Sequence, residues 1–172
     1  MKFRLLKAEE IEVRVAMTTE KGLSLLLYKD ARVDQNILDE TVGAMNWQRH
    51  HSRDNANCTV SIWDDEKKQW IEKEDVGTES NTEAEKGLAS DSFKRACFNW
   101  GIGRELYTAP FIWVNADKCK IFTNQKGKLT CNDKFAVEKI LYDENRNIVA
   151  ISIMNTSQKV RCFVLDSRKK EA

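Results

Sequence analysis

A single proline, Pro110, and seven glycines in 172 residues leave few places where regular structure has to break. That scarcity excludes a proline-rich linker, a collagen-like repeat and a low-complexity tract. An excess of one charge is also missing: 28 Lys and Arg stand against 27 Asp and Glu, a formal net charge of +1. A uniformly basic nucleic-acid protein is thereby excluded, and any polyanion site has to be local. The five cysteines (Cys58, Cys97, Cys119, Cys131, Cys162) are odd in number and contain no CxxC or CxxxC pair. Spacing therefore encodes neither a disulfide framework nor a zinc site, and reduced thiols fit best. Nowhere do about 18 apolar residues run together as a membrane helix needs, and the N-terminal MKFRLLKAEEIEVRV alternates charged and apolar residues where a signal peptide has an apolar core. A cytoplasmic location is expected. With 41% hydrophobic residues the chain has enough apolar material for one globular domain.

Periodicity supplies the elements. Residues 11–17 (IEVRVAM) alternate as a strand does, and LSLLLYK from Leu23 makes a second, so a hairpin is expected around the Thr18–Gly22 turn. DARVDQNILDETV from Asp30 to Val42 has helical spacing, with Asp30 placed to cap its start and Gly43 its end. NWQRHHSRD, NCTVSIWD and KQWIEKED are aromatic and β-branched segments separated by polar turns, which predicts an antiparallel meander. A polar connection over 77–85 leads to a helix from Glu85 to Trp100 that stops at Gly101. After Pro110, FIWV, KIFT, KLTC, FAVEKILY, NIVAISIM and KVRCFVL read as short strands, and SRKKEA as a charged, mobile end. The expected fold is α+β: an antiparallel sheet of hairpin, helix and meander packed against a long helix over 1–115, a small antiparallel β extension over 116–166, and a charged tail over 167–172.

The 85–100 helix carries the most telling pattern. At 100° per residue Ala89, Phe93, Ala96, Cys97 and Trp100 form a core stripe, while Asp91, Lys94, Arg95 and Phe98 fall opposite. Ordinary solvated charges are the bland account of Lys94 and Arg95. An aromatic between two cations is, however, the combination with which proteins hold single strands, rings taking bases and charges taking phosphates. Arg104, in GIGREL, either joins that patch or caps the helix end.

Other motifs fail on spacing. GIGREL lacks the third glycine of a dinucleotide fingerprint and closes a helix instead of opening one; NQKGKLT lacks the upstream glycine and the Ser or Thr of a phosphate loop. His50 and His51, the only histidines, are adjacent on a strand and point to opposite faces. Asp54, Glu66 and Lys68 form a stretched D…ExK pattern, the signature of a Mg-dependent nuclease, with the last two at a hairpin tip. No metal or cofactor is otherwise indicated.

Three blocks resemble the Rad-fifty-two superfamily, and specifically phage single-strand annealing proteins of the Sak type: YKDARV at 28–33 with Trp47 downstream, EDVGTES at 74–80, and KGLASDSFKRACFNWGIGRELY at 86–107. They cover about the first two thirds of the chain. The resemblance implies a ring- or filament-forming protein that binds single-stranded DNA and anneals complementary strands without ATP, cofactor or covalent chemistry, hence not an enzyme. It implies that Arg32, Lys94 and Arg95 contact the DNA backbone, with Arg49, Phe98 and Arg104 as secondary candidates; Arg53 and Lys29 are further basic residues near these blocks. Phe98 stands where eukaryotic relatives carry another arginine. The implied partners are single-stranded DNA, further copies of the chain, and a host single-strand-binding protein or recombinase. The alternatives are the nuclease and a module whose basic helix face meets an acidic protein.

Overall fold

A computed structural model describes residues 1–78 and 84–170. Residues 79–83 and 171–172, and with them Glu79 and Ser80 of EDVGTES, lie outside the described residues. The protein is α+β with antiparallel sheets and, among the described residues, two α-helices. The chain divides into two compact units: Met1–Leu5 with Lys29–Arg104, and Leu6–Tyr28 with Glu105–Ala172.

In the first unit, α1 (Ala31–Val42) begins where Asp30 takes the backbone N–H of Arg32 at 2.7 Å, satisfying one of the donors a helix start leaves open. It ends at Gly43, whose φ of 85° only glycine adopts without strain. Three strands follow, β3 (Trp47–Ser52), β4 (Asn57–Asp64) and β5 (Gln69–Val76), paired in the order β3-β4-β5 with Trp47 opposite Ile62 and Trp63 opposite Trp70. Those last two rings meet edge to face at 5.6 Å. The second helix, α2 (Ala84–Trp100), lies against β4 and β5. Its Leu88, Phe93, Ala96 and Cys97 are buried, as are Cys58, Val60 and Ile62 of β4. Two hydrogen bonds fix the far end of this contact: Trp100 Nε1 donates to Val60 O at 3.0 Å, and Asn99 Nδ2 to Glu74 O at 3.0 Å.

Gly77 explains why β5 can leave the sheet against α2. A Cβ there would stand 2.6 Å from Ser92 N and 2.9 Å from Leu88 O, so the backbone approach admits glycine alone. Its N–H donates to Ala56 O at 2.8 Å, and Ser92 Oγ donates to Asn55 O at 2.9 Å, tying the β3–β4 turn to the same point.

The second unit holds β1 (Ile11–Thr19), β2 (Gly22–Lys29, up to Tyr28), β6 (Ile112–Asn115), β7 (Ile121–Thr123), β8 (Leu129–Cys131), β9 (Phe135–Tyr142), β10 (Ile148–Asn155) and β11 (Val160–Asp166). Six of them form one sheet in the order β11-β10-β9-β1-β2-β6, and β7 with β8 makes a separate ribbon. The first hairpin is flanked in this sheet by β9 on one side and β6 on the other: Glu12 lies opposite Ala136, and Leu23 opposite Val114. Alternation tells a strand which face to bury, and leaves its partner to long-range packing. Ile11, Leu23, Leu25, Val114, Ile151 and Ile153 form this core. Glu105, also buried, accepts from Leu6 N at 2.8 Å and pairs with Arg146 at 3.1 Å, so its charge is satisfied. All five cysteines are buried and free.

Candidate nucleic-acid interface at the α1–α2 contact

The start of α1 and the outer side of α2 come together in the first unit, and two of the three cations there, Arg32 and Arg95, are paired with carboxylates. Arg32 is the outermost, with a side chain 82% exposed. Its guanidinium grips the Asp30 carboxylate through both oxygens, Nε to Oδ1 at 3.0 Å and Nη2 to Oδ2 at 3.1 Å. That hydrogen bonding holds the Asp30 carboxyl below the ordinary carboxylate range, and the charge of Lys94 pulls in the same direction. One carboxylate therefore feels both cations, which places Arg32 and Lys94 on one patch although 62 residues of chain separate them. Lys94 itself is half-buried and makes no ion pair among the described residues.

Arg95 is 43% exposed and turns toward the sheet, where its Nε lies 3.4 Å from Asp75 Oδ1. Asp75 also accepts from Val76 N at 2.7 Å and from Asn99 Nδ2 at 3.3 Å, so Arg95 sits beside an anchored carboxylate.

Beneath the patch lies a buried pair that sequence reasoning missed. Lys29, at the end of β2, is 1% exposed; Asp34, in the first turn of α1, is 0% exposed; the two are ion-paired. Phe98 closes the pair off: the Lys29 ammonium is 4.3 Å from its ring centroid. Burial pushes the Asp34 carboxyl up to about 6 against the opposing pull of Lys29, and Asp34 Oδ2 has no hydrogen-bond partner. Lys29, a basic residue near the resembling blocks, is thus buried, and Phe98, expected on the outward side of α2, lies half-buried against it. Phe98 is half-buried because a buried ammonium needs a desolvated partner, and the ring supplies it.

The remaining candidates separate. Arg104 is committed to the end of α2, donating to Phe98 O at 2.6 and 2.9 Å and to Asn99 O at 2.9 Å, carbonyls of the last turn before Gly101 goes left-handed at φ 90°. Arg49 is exposed on β3 with its guanidinium 4.9 Å from the Phe93 ring centroid. Arg53 occupies the β3–β4 turn at positive φ. His50 is exposed, and His51 is half-buried with Nδ1 3.4 Å from Ser92 Oγ; burial, aided by Arg49, lowers its pKa. Trp47 stacks on Phe93 at 6.1 Å and donates to Asp39 at 2.7 Å, a packing role.

The nuclease trio does not assemble. Asp54 is in the β3–β4 turn, while Glu66 and Lys68 are in the β4–β5 turn at the opposite end of β4, roughly 25 Å away for an eight-residue strand. Lys68 pairs with Asp65 at 3.5 Å instead, and no group of three His, Cys, Asp or Glu positioned to hold a metal occurs among the described residues.

The patch built by α1 and α2 falls inside a family match. The sequence model for Rad52/22 family double-strand break repair protein matches residues 4–124, more than two thirds of the chain. This chain belongs to that family. Membership of the Rad52/22 family places it in DNA repair and recombination, and the matched span contains Arg32, Lys94, Arg95 and the buried Lys29–Asp34 pair. No curated protein and no solved structure matches the chain. No helix among the described residues is long and apolar enough to cross a membrane.

Proposed function

We propose that this Rad52/22 family chain binds single-stranded DNA and anneals complementary strands without ATP or covalent chemistry, in the manner of the phage single-strand annealing proteins its motifs resemble. The observation that carries the reading is the Asp30 carboxylate, flanked by both Arg32 and Lys94, with Arg95 next along α2. Two cations from two helices, Arg32 and Lys94, thus act on one carboxylate that a backbone phosphate can replace, and Arg95 offers a second contact beside Asp75. The segment 1–115 supplies this surface.

One copy offers too few contacts for firm binding. Self-assembly into a ring or filament repeats the patch and multiplies the contacts, which also reconciles a net charge of +1 with DNA binding. Phosphates held along such a track leave base edges free for a second strand to sample. A host single-strand-binding protein or recombinase is the protein partner this activity would meet, in the cytoplasm of the host cell.

The test is pairing of two complementary fluorescent oligonucleotides without ATP, with and without Mg²⁺, at two salt concentrations. Faster pairing of intact strands is expected. With three phosphates neutralised per copy, log affinity should fall with log salt at a slope of about −2 per copy, taking about −0.7 per contact for single strands. Absence of both binding and pairing would return the helix face to ordinary solvated charge, or to an acidic protein partner.

A further inference from the structure

Arg32 and Arg95 of the α1–α2 patch are ion-paired with carboxylates; the lysines of the β7–β8 ribbon are not. From Lys118 to Asn132 the chain carries four lysines, Lys118, Lys120, Lys126 and Lys128, and no acidic residue. The rest of the protein has 24 basic against 27 acidic residues, so this segment alone makes the net charge positive. None of the ion pairs among the described residues engages these four lysines. The nearest carboxylates in sequence are Asp117, which is exposed, and Asp133, which accepts from Lys120 N at 2.8 Å, Asn155 Nδ2 at 2.7 Å and Gln158 Nε2 at 3.1 Å.

Geometry arranges these charges around an aromatic ring. The register pairs Ile121 with Cys131 and Phe122 with Thr130. Alternation then places Lys120 and Phe122 on one face with Lys128 and Thr130 across from them, while Ile121 and the buried Cys131 share the other. Lys120, Phe122, Lys126 and Lys128 are all exposed. The turn that carries Lys126 and Lys128 is fixed: Asn124 Oδ1 accepts from the backbone N–H of both at 3.0 Å, and Gly127 takes φ 73°.

From this we infer that the β7–β8 ribbon is a separate single-strand contact, in which Lys120, Lys126 and Lys128 hold backbone phosphates and Phe122 stacks on a base. Charge complementarity selects a polyanion, and the exposed ring among cations selects a single strand over a duplex, whose bases are already stacked. The inference rests on the DNA-binding reading but uses none of its residues. Its lysine tip lies beyond residue 124, where the family match ends.

The experiment uses the full chain carrying Lys120→Glu, Lys126→Glu and Lys128→Glu, read by fluorescence anisotropy on a 30-nucleotide oligo-dT and on a 30-base-pair duplex at several salt concentrations. The comparison variant, Lys21→Glu, Lys67→Glu and Lys68→Glu, makes the same charge change elsewhere. At least tenfold weaker binding to oligo-dT is expected for the ribbon variant, with a salt slope shallower by about 2, three contacts at about 0.7 each. Phe122→Ala should weaken oligo-dT binding at least fivefold and leave the duplex unchanged, since stacking on a base contributes about 1–3 kcal/mol. Ultraviolet cross-linking of an iodouracil oligonucleotide should label the tryptic peptide from Ile121 to Lys126.

Parent-like affinity and slope in the ribbon variant overturn the inference while leaving the annealing reading intact. So does an equal loss in the comparison variant, which would make net charge the cause, or a loss accompanied by a smaller assembly in light scattering. If the triple Glu variant does not fold, the Lys→Gln triple carries the same expectation at half the charge change. Failure of the unmodified chain to bind oligo-dT overturns both readings together.

Discussion

The ammonium of Lys29 lies 4.3 Å from the ring centroid of Phe98, with Asp34 as its ion-pair partner and water excluded from both charges. Three elements meet in that one arrangement: the end of β2, the first turn of α1 and the last turns of α2. Phe98 thus covers the pair from α2, the helix that also carries Lys94 and Arg95.

Phe98→Ala should cost about 3 kcal/mol or more of stability, from lost burial and from water reaching a pair that was dry. Urea unfolding checks this. Phe98→Leu should cost less, because it keeps the cover and loses only the ring's attraction for the ammonium.

Asp34 ties stability to pH. An unfolded aspartate ionises near 3.9, whereas burial pushes Asp34 up to about 6, so between these values the folded state binds more protons than the unfolded. Its contribution is full below about pH 4 and is lost as pH rises through about 6. Above about pH 6, where the folded carboxylate is ionised, Asp34→Asn should be less stable by about 3–5 kcal/mol for a broken buried pair. It should also lack this slope, measured as unfolding free energy against pH.

The cations proposed to hold phosphates should behave differently from the core. Lys94→Glu with Arg95→Glu should abolish single-strand binding while the melting temperature shifts by only a few degrees, since neither side chain is buried. Asp75→Asn removes the carboxylate that competes with phosphate for Arg95 and should strengthen binding two- to fivefold. An unchanged or weaker affinity would mean that Asp75 orients Arg95 for the strand.

Gly77→Ala should destabilise by about 1–3 kcal/mol through overpacking, because the added methyl meets the α2 backbone, which cannot step aside as a side chain can. Thermal unfolding against Gly43→Ala separates the two causes: a Cβ at Gly43 would make only an ordinary 3.6 Å contact with Asn46 Nδ2, so its penalty comes from φ.

The thiols should be inert in the folded protein. All five are buried, and burial pushes Cys58 and Cys119 up to about 11. Maleimide labelling at neutral pH should be near zero in buffer and reach five per chain in denaturant.

By itself the sequence determined the local structure. Asp30 and Gly43 bound α1 because a carboxylate is needed at a helix start and a residue tolerant of positive φ at its end, and alternation with polar turns marked the meander and the strands after Pro110. These are short-range constraints, written in neighbouring residues. Arg32, Lys94 and Arg95 were named as candidates from motifs that resemble a family, and the fold places Arg32 on α1 and the other two on α2. Tertiary structure alone decided the partners. No local signal shows that β1 pairs with β9, that Lys29 and Asp34 are buried together, that Phe98 covers them, or that Asp54 and Glu66 lie at opposite ends of a strand. A charge's surroundings depend on segments distant in sequence, and burial, which no periodicity within one element fixes, turned Lys29 from a surface cation into a buried one.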